Sequence, residues 1–112
     1  MTSEAPRPAR LVLVTAPDLE VAERLVTALV EERVAACGNI VPGLVSIYRW
    51  HGAVERAAET LIVLKTMDAT VPALLQRVGT LHPYEVPEML VVPVEGGHAP
   101  YLDWLAENVD QS

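Results

Sequence analysis

The sequence predicts an α+β domain of the ferredoxin-like kind, a βαββαβ sandwich with a long β2–β3 hairpin and a C-terminal helix. Three observations lead there. Short apolar runs alternate with helical periodicities in the order strand, helix, strand, strand, helix, strand. The two middle strands join through a tight turn into an unusually long hairpin. Interleaved right-handed crossovers then place both helices on one face of a four-stranded antiparallel sheet.

The first strand is Leu11-Val12-Leu13-Val14-Thr15, a continuous apolar run of the kind buried on both faces. Pro17-Asp18 ends it, and Asp18 is placed to cap a helix. Ala22, Leu25, Val26 and Leu29 then repeat at i, i+3, i+4 and i+7, with charged residues elsewhere, so an amphipathic helix closing near Gly38 is expected. Asn39 to Trp50 reads as extended, with a bulge or bend at Pro42-Gly43. His51-Gly52 turns the chain back into Thr60–Thr66. Ile47 lies on one side of this hairpin and Leu44 and Tyr48 on the other, so it needs a partner.

Thr70 can cap a second helix, on which Val71, Leu74, Leu75, Val78 and Leu81 form the apolar stripe. Then comes a connector stiffened by Pro83 and Pro87. A strand at Met89–Val94 follows, its far end at a sheet edge or leaving the sheet because Pro93 has no amide donor. Gly96-Gly97 breaks the chain, and a last helix starts at Pro100. It is too short to cover the second face of the sheet, which leaves that face for association.

At 112 residues the chain suits one domain, read as 10–110, behind a disordered tail over 1–9. That tail holds two prolines and mixed charge, with no apolar core of a signal peptide. The composition is 51 % hydrophobic, yet no run approaches the roughly 18 residues of a membrane span. The apolar excess again points to an oligomer. A net charge of −7, without any stripe of Lys or Arg, argues against nucleic-acid binding. One cysteine, Cys37, allows no internal disulfide and fits a cytoplasmic, reducing setting.

The richest segment chemically is Thr80-Leu81-His82-Pro83-Tyr84-Glu85-Val86-Pro87-Glu88. A neutral His82 is a borderline metal ligand, and Glu85 or Glu88 could add oxygen donors. The alternative is a histidine that stacks on Tyr84 or caps the preceding helix. Cys37 is a soft donor suited to Cu(I), or else a small buried hydrophobe among Ala35, Ala36 and Ile40. Tyr48, Trp50 and Tyr84, with Lys65, Glu85 and Glu88, could line a cleft. The aromatics equally suit a subunit interface, and the two readings are compatible. No catalytic triad, Walker loop or dinucleotide fingerprint is present, and no activated nucleophile or paired acid and base suggests an enzyme.

Taken together, Thr15-Ala16-Pro17-Asp18, Ala35–Gly43, Ser46–Trp50, Leu64-Lys65-Thr66, His82–Glu88 and Tyr101-Leu102-Asp103-Trp104 resemble the CutA divalent-cation-tolerance family, from about Leu11 to Leu105. The resemblance implies a tight homotrimer in which each hairpin joins a neighbour's sheet. It also implies a role in the response to copper and other divalent metal ions, with no defined reaction. The metal would be weakly bound and unnecessary for folding, with His82, Cys37 and Glu88 as its candidate ligands. Some bacterial members proposed to bind copper have a cysteine before the Thr-Ala-Pro-Asp segment and two adjacent histidines before Pro-Tyr. Val14 and Leu81 stand at those positions here. The same architecture is shared with PII signalling trimers, so a small organic ligand in an intersubunit cleft is the alternative.

Overall fold

The computed structural model describes residues 8–110. Elements follow in the order β1 (Ala9–Ala16), α1 (Leu19–Glu31), β2 (Cys37–Trp50), β3 (Ala53–Met67), α2 (Val71–Leu81), β4 (Leu90–Pro93) and α3 (Ala99–Glu107). The strand order in the single sheet is β2-β3-β1-β4, with every neighbouring pair antiparallel. This is the ferredoxin-like arrangement. The expected tail falls outside the described residues over positions 1–7. Ala9 opens β1 instead of belonging to a tail, and its carbonyl accepts a bond from the Val94 amide at 3.1 Å.

Period-two alternation along β1 and β3 sends Val12, Val14, Ala16, Ile62 and Leu64 under the helices. There they meet Ala22, Leu25 and Leu29 of α1 and Leu74 and Val78 of α2. Burial of both faces of β1 is therefore only partial within one chain. Leu11 and Leu13, on the uncovered face, keep intermediate exposure.

Asp18 caps α1 as expected, its Oδ1 accepting from Val21 N at 2.9 Å. The helix ends at Glu31, earlier than Gly38. Arg33, at φ 62°, turns the chain into a left-handed residue, with Arg33 N bonding Val30 O and Val34 N bonding Leu29 O. These two bonds form a Schellman motif that satisfies the last carbonyls of α1. Gly38 instead lies in β2, where a Cβ would come 2.8 Å from Val26 Cγ1, so only glycine lets α1 sit this close. Thr70 does not cap α2 with its side chain. A short 3₁₀ turn over Asp68–Thr70 precedes the helix, and the Thr70 hydroxyl donates to the Asp110 carbonyl. Between α1 and α2, Arg77 makes a two-pronged contact with the Glu32 carboxylate at 2.6 and 2.9 Å.

The hairpin is long because β2 and β3 run 14 and 15 residues. Val41 pairs with Leu61 and Leu44 with Glu59, so Pro42 and Gly43 together stand opposite Thr60. That is a one-residue bulge, with Gly43 at φ 85°. At the tip His51 and Gly52 both take positive φ, 49° and 82°, which defines a two-residue type I′ turn matched to the strand twist. Beyond the helices no described residue covers the hairpin. Ile47 is 68 % exposed, Val54 67 % and Trp50 57 %.

Candidate functional site

The chemically rich connector comes to rest against the near end of the hairpin. His82 terminates α2 in an extended conformation and is 6 % exposed. Its Nδ1 accepts the Tyr84 amide at 3.0 Å, so that nitrogen carries a lone pair. The proton then resides on Nε2, which donates to Thr15 O at 2.7 Å. The tautomer follows from these partners. The imidazole thus ties β1 to the start of the connector, and its ring lies 4.7 Å from that of Tyr84.

Tyr84 carries the tie onward. Its hydroxyl donates to Glu59 Oε2 at 2.7 Å, across to β3 just beyond the bulge. Desolvation pushes the phenol up to about 12, helped by the bond to Glu59 and by its charge, with smaller contributions from Tyr48 and Asp18. Glu85 and Glu88 are exposed on the same connector. Beside it, a cleft of about 260 Å³ lies between α1 and the end of α2, lined by Val21, Arg24, Leu25, Ala28, Leu81 and Pro83.

The other expected site residues lie elsewhere. Cys37 pairs with Lys65 in the sheet, and Lys65 is six residues along β3 from Glu59, about 20 Å at strand rise. There Cys37 Sγ lies 3.7 Å from the Tyr101 hydroxyl, and Lys65 Nζ lies 5.8 Å from the Tyr101 ring centroid. Trp50 sits at the opposite extreme, on the hairpin tip against His51. Among the described residues no three His, Cys, Asp or Glu side chains converge in a way that could hold a metal ion. Cys37, His82 and Glu88 therefore do not form a metal site within one chain, and both nitrogens of His82 are already engaged. Sequence reasoning missed Glu59 and Tyr101. Glu59 stands opposite Leu44 at the bulge, but Glu55, Arg56 and Lys65 also charge β3, so nothing local set it apart.

A ferredoxin-like sandwich with an overlong hairpin that is apolar and exposed on both sides is the class of protein these features define. The family model for the CutA1 divalent ion tolerance protein matches residues 10–108, and the chain belongs to that family. It is similar to the divalent-cation tolerance protein CutA of Thermus thermophilus, 54 % identical over 98 residues that span 88 % of this chain and 95 % of that protein. Against the chloroplastic protein CutA 1 of Oryza sativa it is 41 % identical, over 94 % of this chain and 59 % of the rice protein. It spans about half, 52 %, of the human protein CutA. In three dimensions it superposes on the Thermus protein with a TM-score of 0.89, at 52 % identity over 91 % of this chain and 99 % of that one. For the rice CutA1 crystal structure the score is 0.93, at 40 % identity over 96 % of this chain and 98 % of that one.

Proposed function

We propose that the chain works as a homotrimer supporting tolerance of divalent cations, with copper or another divalent ion held weakly where subunits meet. The observation that carries the assembly is the hairpin, whose exposed Ile47, Tyr48, Trp50 and Val54 would leave a large apolar surface in water on a lone chain. Membership of a divalent ion tolerance family supports the cation role. No three His, Cys, Asp or Glu ligands meet among the described residues of one chain, which supports placing the ion where subunits meet.

Cys37 and Glu88 are the ligands best able to take part, Cys37 toward Cu(I) and Glu88 toward divalent ions. His82 can join only by giving up Thr15 or Tyr84. The solitary cysteine supports a cytoplasmic setting.

Calorimetric titration of the assembled protein with Cu²⁺ tests the reading. Measurable, modest binding is expected, weakened by Glu88→Gln, while Cys37→Ser acts mainly on Cu(I). No copper heat from the intact assembly would remove the cation role. It would favour an organic ligand at the Tyr48–Tyr84 region, for which a thermal-shift screen with metabolites is the next step.

A further inference from the structure

The uncovered face of the sheet is closed at one end by α3. Leu105, Ala106 and Val109 bury Ala9, Ala36 and Met67, all at 7 % exposure or less, in a cluster separate from the main core. Leu102 and Val94 pack at its margin. This small apolar floor is what the helix hides.

The far end of α3 is fastened by polar contacts that converge on one turn. Arg33 Nη2 donates to the carbonyl of Glu107, the last residue of α3, at 3.0 Å, and Nε donates to Asp110 Oδ1 at 3.1 Å. Asp110 N donates to Arg33 O at 2.9 Å, and the Thr70 hydroxyl reaches the Asp110 carbonyl. Arg33 occupies the left-handed position of the Schellman motif, where glycine is the usual residue. An L-residue there carries backbone strain. A long cation at that position is explained by its side chain, which caps α3 and pairs with Asp110. Both members of the ion pair are half exposed, so salt reaches it.

At the near end of α3 stand Gly96 and Gly97. Neither has positive φ, a Cβ on Gly96 would meet nothing within 4 Å, and one on Gly97 would make only ordinary contact with Leu102. The closed structure does not require glycine at either position. What two adjacent glycines provide is backbone freedom.

We propose that residues 98–110 form a lid, hinged at Gly96-Gly97 and clasped at the Arg33 turn, whose opening uncovers the floor of Ala9, Ala36 and Met67. Opening extends the apolar uncovered face of the sheet to its end. It also frees the turn that leads into β2, and so links the C-terminus to the root of the hairpin. The lid opens without unfolding of the main core, because its cluster is separate and its clasp is exposed.

Amide hydrogen exchange of the full-length protein, followed residue by residue, tests this. In the wild type, α3 amides should exchange faster than Val12 and Val14 of β1, and faster still in high salt. Arg33→Gly is the decisive variant, since it relieves the left-handed strain while removing the clasp. It should speed α3 exchange about tenfold, leaving β1 unchanged. Gly96→Ala with Gly97→Ala should slow α3 exchange by restricting the hinge. Exchange of α3 and β1 at one common rate in the wild type would overturn the lid. So would unchanged or increased α3 protection in Arg33→Gly.

Discussion

The sheet beneath α1 and α2 and the hairpin beyond it use the same kinds of side chain, yet they meet opposite surroundings. Under the helices Val12, Leu64, Leu74 and Val78 are fully buried. Along the hairpin Val45, Ile47, Trp50 and Val54 stay between 48 and 68 % exposed. The first region completes itself within one chain. The second keeps its apolar side chains in water on a lone chain. Strand pairing gives the hairpin its shape through main-chain bonds, the bulge and the type I′ turn, but its apolar groups stay exposed among the described residues. Substitutions in the two regions should therefore fail in different ways.

The largest effect belongs to the covered half. Leu74→Ala leaves a cavity at a position with no exposed surface and should cost about 2–5 kcal/mol of fold stability, read from denaturant midpoints. Unfolding should follow without prior dissociation. A loss below about 1 kcal/mol would mean the helical layer is less tightly packed than its burial implies.

At the seam between the regions, His82→Ala removes an imidazole bonded at both nitrogens. It strands Thr15 O and the Tyr84 amide in a buried setting, a cost of about 1–3 kcal/mol. Exchange of the Tyr84 amide should rise with it. Preserved stability and preserved Tyr84 protection would show that the connector is held by its prolines alone.

Tyr84 gives a pH-dependent test. Its folded value lies near 12, above the ordinary 10.0, so the phenol's contribution is complete below pH 10 and is lost as pH rises toward 12. Absorbance titration at alkaline pH should show a tyrosine ionising late, and Tyr84→Phe should remove that step. It should also flatten the alkaline fall in stability between those pH values. A wild type whose tyrosines all ionise near pH 10 would contradict the Tyr84–Glu59 tie.

The smallest effect lies on the surface. The hydrogen bond from Arg77 holds the Glu32 carboxyl below the ordinary carboxylate range. A lowered folded value stabilises above the unfolded pKa and is lost as pH falls through the folded one, so Glu32→Gln should matter only on the neutral side of that fall. At pH 7 the change should be near the limit of measurement. A large effect would make the α1–α2 contact part of the core.

The periodicities of α1 and α2, the Asp18 cap, the bulge at Pro42-Gly43, the turn at His51-Gly52 and the edge position of Pro93 were all legible in the sequence. Each is set by residues close together in the chain. The end of α1 was not, because Arg33 takes a conformation that glycine usually marks and Gly38 serves close packing instead. Nor was the role of Thr70, whose hydroxyl serves a carbonyl 40 residues away rather than its own helix. The candidate site shows the same limit. His82 and Tyr84 are near neighbours in sequence and meet as expected, whereas Cys37 and Lys65 pair with each other across the sheet and lie far from them. That separation is a property of strand register, which no local pattern displays.

The claim that the hairpin is built for partners of its own kind is tested most directly by the mass of the particle in solution. Sedimentation equilibrium of the native chain at micromolar concentration should give about three times the 12.2 kDa chain mass. Trp50→Ala should shift the particle toward smaller mass while its far-ultraviolet circular dichroism stays native. A native chain that sediments as a monomer, with Ile47, Trp50 and Val54 left in water, would contradict it.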